Sequence, residues 1–101
     1  MYSLEKTSDR GVLKICFDSL LTESRLGPFA DILAEYAAES GLMPRRIDIL
    51  FNYAFIEKGS KIQFYWNGGF TVYVFGIEST QSQTVYERLL RITERLNNKK
   101  G

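Results

Sequence analysis

Lys61-Ile62-Gln63-Phe64-Tyr65-Trp66-Asn67-Gly68-Gly69-Phe70-Thr71-Val72-Tyr73-Val74-Phe75-Gly76-Ile77 is the stretch on which the fold turns. Apolar and polar side chains alternate on both sides of an Asn-Gly-Gly break, the pattern of two half-buried strands joined by a tight turn. Two registers compete. A two-residue turn pairs Ile62, Phe64 and Trp66 with Thr71, Tyr73 and Phe75. A three-residue loop with Gly69 in the left-handed conformation pairs them with Phe70, Val72 and Val74. Slipping by one residue turns every side chain to the other face, and the second register gives the cleaner apolar face. It leaves Lys61, Gln63, Tyr65, Thr71, Tyr73 and Phe75 on the opposite face, beside Leu50 and Asn52 of the preceding strand. That face is half polar and half aromatic, too apolar to sit comfortably in water.

Working outward, Ile47, Ile49, Phe51, Tyr53 and Phe55 alternate as a further strand, joined to the hairpin through a turn near Glu57–Ser60. A helix is expected from about Gln81 to Asn97. Thr80 and Gln83 have capping-box spacing. Val85, Leu89, Ile92 and Leu96 recur at helical period, widened by Tyr86 and Leu90, and Glu87 and Arg91 stand four apart. A second helix is expected from Pro28 to Ser40, with Phe29, Ile32, Leu33, Tyr36 and Ala37 on one face and Gly41 as its left-handed stop. Asp31, Glu35 and Glu39 form its acidic outer stripe. In residues 1–26, Leu13, Ile15 and Phe17 alternate and can pair with Tyr2 and Leu4 across a Ser8–Gly11 turn. The set Leu13, Phe17, Leu20 and Leu21 also fits a helix. The hairpin is the expectation. The expected fold is α+β over a single domain, residues 1–101, in the order (β-β)-α-β-β-β-α. It has an antiparallel sheet of three to five strands with two helices packed on one face.

Bulk composition excludes several function classes. A chain of 101 residues with 45% hydrophobic and 25% charged residues supports one core and is not disordered. Net charge is +1, without the basic excess usual in nucleic-acid domains. Residues 1–50 carry six basic and eight acidic side chains and the remainder seven and four, so the halves stand at −2 and +3. The single cysteine, Cys16, forbids an internal disulfide. Charged residues precede any apolar stretch at the N-terminus, and no run reaches the roughly 18 apolar residues of a membrane span. A cytoplasmic protein without a membrane association is the expectation.

Catalytic chemistry finds little support. The chain has no histidine, the usual base near neutral pH and the commonest metal ligand, so a Ser-His or Cys-His pair is excluded. Asp31, Glu35 and Glu39 read as a solvated stripe rather than a metal site. Cys16 lies in an apolar stretch and reads as structural. Gly68-Gly69 joins two strands and lacks the spacing of a phosphate loop. We expect no enzyme, no cofactor and no metal.

From Phe29 onward, helix, three strands and helix follow in an order that resembles the double-stranded RNA-binding domain. Leu33-Ala34-Glu35-Tyr36, Gly41-Leu42 and Pro44 are similar to that family's first helix and its exit. The resemblance covers about seventy residues and implies contacts to duplex phosphates and 2′-hydroxyls. In the family a lysine-rich cluster opens the last helix. Here Thr80-Gln81-Ser82-Gln83-Thr84 carries no positive charge, and Glu57-Lys58-Gly59-Ser60 replaces the family's glycine, proline and histidine. An RNA-binding alternative would therefore use Lys61, Arg88, Arg91 and Arg95, with the aromatic face as a stacking platform. The leading expectation is a protein-binding module, adaptor, inhibitor or regulatory subunit. It would meet a protein partner or its own copy through Leu50, Gln63, Tyr65, Tyr73 and Phe75. Two conditions decide it: whether residues 1–26 fold over that face, and whether the strand edges offer a second route.

Overall fold

The computed structural model describes residues 1–47 and 51–99. Strands β1 (Tyr2–Lys6) and β2 (Leu13–Leu21) are followed by helix α1 (Gly27–Ser40). Four strands come next: β3 (Arg45–Arg46), β4 (Phe51–Glu57), β5 (Ser60–Trp66) and β6 (Gly69–Phe75). A 3-10 turn at Ser79–Gln81 leads into α2 (Ser82–Lys99). The described strands form one antiparallel sheet of six in the order β1-β2-β6-β5-β4-β3, one strand more than the largest expected sheet.

The N-terminal hairpin forms as read. Tyr2 pairs with Phe17, Leu4 with Ile15 and Lys6 with Leu13. Thr7 ties the turn, its hydroxyl donating to the Val12 carbonyl at 2.9 Å. β2 then pairs with β6, so the hairpin widens the sheet edge-on and does not fold across it.

The additional strand comes from Arg45 and Arg46, just ahead of the run from Ile47 to Phe55 that was expected to form a strand. Arg45 pairs with Ala54 and Arg46 with Tyr53, antiparallel, and the Ile47 amide donates to the Asn52 carbonyl at 3.0 Å. Ile47 therefore follows β3 and is not part of the strand that opens at Phe51. Ile49 and Leu50, both named in the sequence reading, lie outside the described residues.

The β5–β6 hairpin keeps the expected faces in a register displaced by two. Trp66 lies opposite Val72 and Phe64 opposite Val74. Gly68 and Gly69 are both left-handed, with φ of 97° and 79°, and the Trp66 indole donates to the Gly69 carbonyl at 3.2 Å. That pair of left-handed residues, open to glycine at little cost, holds a wider loop. Side-chain parity survives a shift of two, so Ile62, Phe64, Trp66, Val72 and Val74 are all buried. Phe70, expected in the core, lies where the β2–β6 register breaks between Cys16 and Leu21 and is 51% exposed.

The helices follow their apolar stripes onto the other side of these strands. Phe29, Ile32, Leu33 and Tyr36 of α1 are buried, as are Val85, Leu89, Ile92 and Leu96 of α2. All join one core cluster with the inward residues of the sheet. Gly41 ends α1 left-handed, its amide reaching the Ala37 carbonyl. At the start of α2, Gln83 donates to Glu87 at 3.1 Å, and Gln81 donates to the Glu57 carbonyl at 3.0 Å. The Thr80–Gln83 capping box is replaced by the 3-10 turn, in which the Gln81 amide reaches the Glu78 carbonyl. Leu90, read as part of the apolar stripe, is 38% exposed.

One side chain secures the free edge of the sheet. Asn97 of α2 accepts the Tyr2 amide at 2.7 Å and donates to the Tyr2 carbonyl at 2.9 Å. A carboxamide carries the same donor and acceptor as a peptide group, so Asn97 does at Tyr2 what a further strand would do. Replacing Asn97 with alanine removes both bonds and should cost about 1–2 kcal/mol. The check is a urea unfolding midpoint against an Asn98→Ala control, since Asn98 is exposed.

Candidate functional site

With both helices on the core side and the hairpin in the plane of the sheet, no helix or strand among the described residues covers the opposite face. The pairings define its rows. Asn52, Tyr65, Tyr73, Lys14 and Glu5 run side by side across five strands. Arg45, Ala54, Gln63 and Phe75 form the adjacent row. Thr71 and Cys16 continue the face beside Tyr73. Tyr65 and Tyr73 are direct cross-strand partners, so both side chains stand on one surface.

Of the five residues expected to bind protein, Gln63, Tyr65, Tyr73 and Phe75 are thus brought together here, and Leu50 lies outside the described residues. Tyr73 is 40% exposed, and Ile56, which the sequence reading did not nominate, is 47% exposed on the same face beside Lys61. Gln63, Tyr65 and Phe75 are half-buried. Their flanks are polar: Lys14 contacts Glu5 at 3.9 Å, and Asn52 donates to Gln63 at 3.3 Å.

The four residues of the RNA-binding alternative do not share a surface. Lys61 is on the bare sheet face, whereas Arg88, Arg91 and Arg95 belong to α2 in the helical layer. Arg88 is largely buried and donates through Nη1 to the Tyr36 hydroxyl and to Glu57, each at 2.9 Å. Arg91 reaches Glu39 at 3.1 Å, and Arg95 reaches Glu35 at 2.6 Å and Glu39 at 3.2 Å. The acidic stripe of α1 is therefore the counterpart of the basic stripe of α2. This cross-helix pairing draws Arg91 to Glu39, in place of the Glu87–Arg91 pair expected within α2.

These contacts set the titration of the acids. A hydrogen bond from Arg95 holds Glu35 below the ordinary carboxylate range, and one from Arg91 does the same for Glu39. Burial pushes the Cys16 thiol upward, and its bond to Glu5 at 3.4 Å pushes the same way, keeping it protonated. Among the described residues, no group of three or more Cys, Asp or Glu side chains is placed to hold a metal ion, and no helix is long and apolar enough to cross a membrane.

A cleft of about 410 Å³ lies between the β1–β2 turn and the start of α2, lined by Lys6, Asp9, Arg10, Ser79, Gln83 and Tyr86. Lys6 stands 4.6 Å over the Tyr86 ring there. The periodicity of the sequence does not signal this cleft, because its lining comes from segments some seventy residues apart.

Two outcomes follow from this geometry. The folded pKa values of Glu35 and Glu39 are depressed, so their stabilisation is complete above the ordinary glutamate range and fades as the pH falls through the folded values. Arg95→Met should lower stability at neutral pH by about 0.5–1 kcal/mol, the scale of partly exposed pairs. Its urea midpoint should converge with that of the wild type in acid. For Cys16, the pH profile of iodoacetamide alkylation should rise at higher pH than that of an unfolded cysteine peptide, and Glu5→Gln should move it back down.

The chain matches no protein-family model, no curated protein and no solved structure.

Proposed function

We propose that this domain is a non-catalytic protein-binding module, an adaptor, inhibitor or regulatory subunit, which meets its partner through the bare face of the sheet. The observation that carries this reading is the adjacency of Tyr65, Tyr73 and Phe75 on a surface that no helix among the described residues covers. Tyrosine is suited to such a role. Its ring contributes large contact area at low entropic cost, and its hydroxyl keeps the free surface wettable. A contiguous apolar patch on a small domain usually marks an interaction site. The half-buried polar groups around it, Gln63, Asn52 and Thr71, suit the hydrogen-bonding rim of an interface.

Nucleic-acid binding is the less favoured reading. Its cations are divided between two layers, and the arginines of α2 are already paired with Glu35, Glu39 and Glu57. Phosphate binding by those arginines would have to break those pairs.

Capture from native-host lysate, with half the sample treated with nuclease, tests the reading. A specific protein retained in both halves and lost with Tyr73→Ala supports it. Interface hot spots cost about 2 kcal/mol or more on truncation, so Tyr73→Ala should weaken binding about 30-fold or more while leaving the circular dichroism spectrum unchanged. Proteins lost on nuclease treatment, with an affinity that falls steeply with salt, would favour nucleic acid instead. Unfolding of Tyr73→Ala without any change in affinity would assign the ring to structure.

A further inference from the structure

We infer that the occupant of the bare face is a second copy of this chain, packed sheet on sheet about a two-fold axis that runs along the strands between β5 and β6. The inference rests on the reading of this face as a protein-binding surface and adds the identity and orientation of the partner.

Three observations carry it. The first is symmetry. β5 and β6 are the two central strands of the six, and their outward aromatics Tyr65 and Tyr73 are cross-strand partners. A two-fold axis between these strands exchanges them, laying Tyr73 over Tyr65 of the second copy and Tyr65 over its Tyr73. Phe75 then meets Gln63, its own cross-strand neighbour's equivalent, and the aromatic centre is complementary to itself.

The second is charge. At one margin of the face stands Glu5 on β1, and at the other Arg45 on β3. Arg45 is exposed and makes no ion pair among the described residues, while the contact of Glu5 with Lys14 is a loose 3.9 Å. An axis parallel to the strands exchanges β1 with β3, so the acidic margin of each copy lies over the basic margin of the other, twice. An axis across the strands would superpose β1 on β1 and oppose Glu5 to Glu5. The charges at the margins therefore favour the first arrangement, in which the exposed Lys61 side chains at the ends of the two β5 strands are the like charges brought toward each other.

The third is size. The 37 residues of the six described strands, about 4.8 Å apart between strands and about 3.3 Å apart along them, cover a plane of roughly 590 Å². Side-chain relief raises the accessible area of such a plane toward the ~800 Å² per partner of a stable interface. Aligned sheet packing at about 10 Å accommodates side chains of this size.

Sedimentation equilibrium of the full chain across the micromolar range is the test. The expected result is a monomer–dimer equilibrium. Tyr73→Glu should weaken it more than tenfold, with the monomer's circular dichroism spectrum preserved. Glu5→Arg and Arg45→Glu should each weaken it about tenfold, because two symmetry-related attractions become repulsions worth about 1.4 kcal/mol in total. The double variant Glu5→Arg/Arg45→Glu should recover most of the loss, which a merely structural effect of either change would not produce. A wild-type chain that stays monomeric, a dimer indifferent to Tyr73→Glu, or a double variant weaker than either single one overturns the inference. A monomeric chain that still captures another protein through Tyr73 leaves the binding-face reading standing and removes only the second copy. Absence of both self-association and Tyr73-dependent capture removes both.

Discussion

Arg88 is the buried charge around which the two layers are joined. Its guanidinium is held between the Glu57 carboxylate at the end of β4 and the hydroxyl of Tyr36 in the middle of α1. The Tyr36 ring is fully buried, with centroids 4.7 Å from Phe55 and 5.0 Å from Phe64. Burial disfavours the charge on Arg88, and Glu57 and Tyr36 outweigh that cost. Taking away Glu57 would leave a desolvated charge without its counterion, which typically costs about 3–5 kcal/mol. The bonds also need α1, α2 and β4 in one relative placement. A purely apolar contact tolerates sliding, whereas this one specifies position.

That placement decides where surface is left over. Because Tyr36 and Arg88 bring α1 and α2 together over β4 and β5, both helices spend their apolar stripes on the same side of the sheet. The lattice of Glu35 and Glu39 with Arg91, Arg95 and Lys99 closes the outer seam between them. Nothing remains in the described chain to cover the other side. The N-terminal hairpin was the candidate cover, and the pairing of β2 with β6 commits it to widening the sheet. The bare face is therefore a consequence of how the core is locked.

What was legible in the sequence was side-chain parity and helical period, and what was not was anything that parity leaves unchanged. Ile62, Phe64, Trp66, Val72 and Val74 could be assigned to the core because alternation fixes the face, while a shift of two residues preserves it and stayed invisible. The run Ile47 to Phe55 alternates throughout, so its pattern carried no mark of the antiparallel pairing of Arg45 and Arg46 with Ala54 and Tyr53. The acidic stripe of α1 and the basic residues of α2 were each visible alone. That they face one another is a tertiary fact, and it redirected Arg91 from Glu87 to Glu39. The candidate face was readable to the extent that it depends on parity: Gln63, Tyr65, Tyr73 and Phe75 were placed correctly, and Ile56 was missed because it lies at the strand end beside a turn.

On the proposed binding role, the face and the edges of the sheet are the two surfaces that could meet a partner. Strand addition needs a free edge several residues long. At β1 the Asn97 carboxamide already takes the outward amide and carbonyl of Tyr2, and α2 lies alongside. At the other edge β3 is two residues long, and both are arginine, a short, charged edge of the kind that resists pairing. Both edges thus carry the devices by which sheets discourage further strands. The central face carries the opposite: two tyrosines, a phenylalanine and an exposed isoleucine, with Lys61 beside the isoleucine and Lys14 beside Tyr73. A sheet guarded at its edges and left aromatic at its centre favours, on that proposal, contact through the face over strand addition.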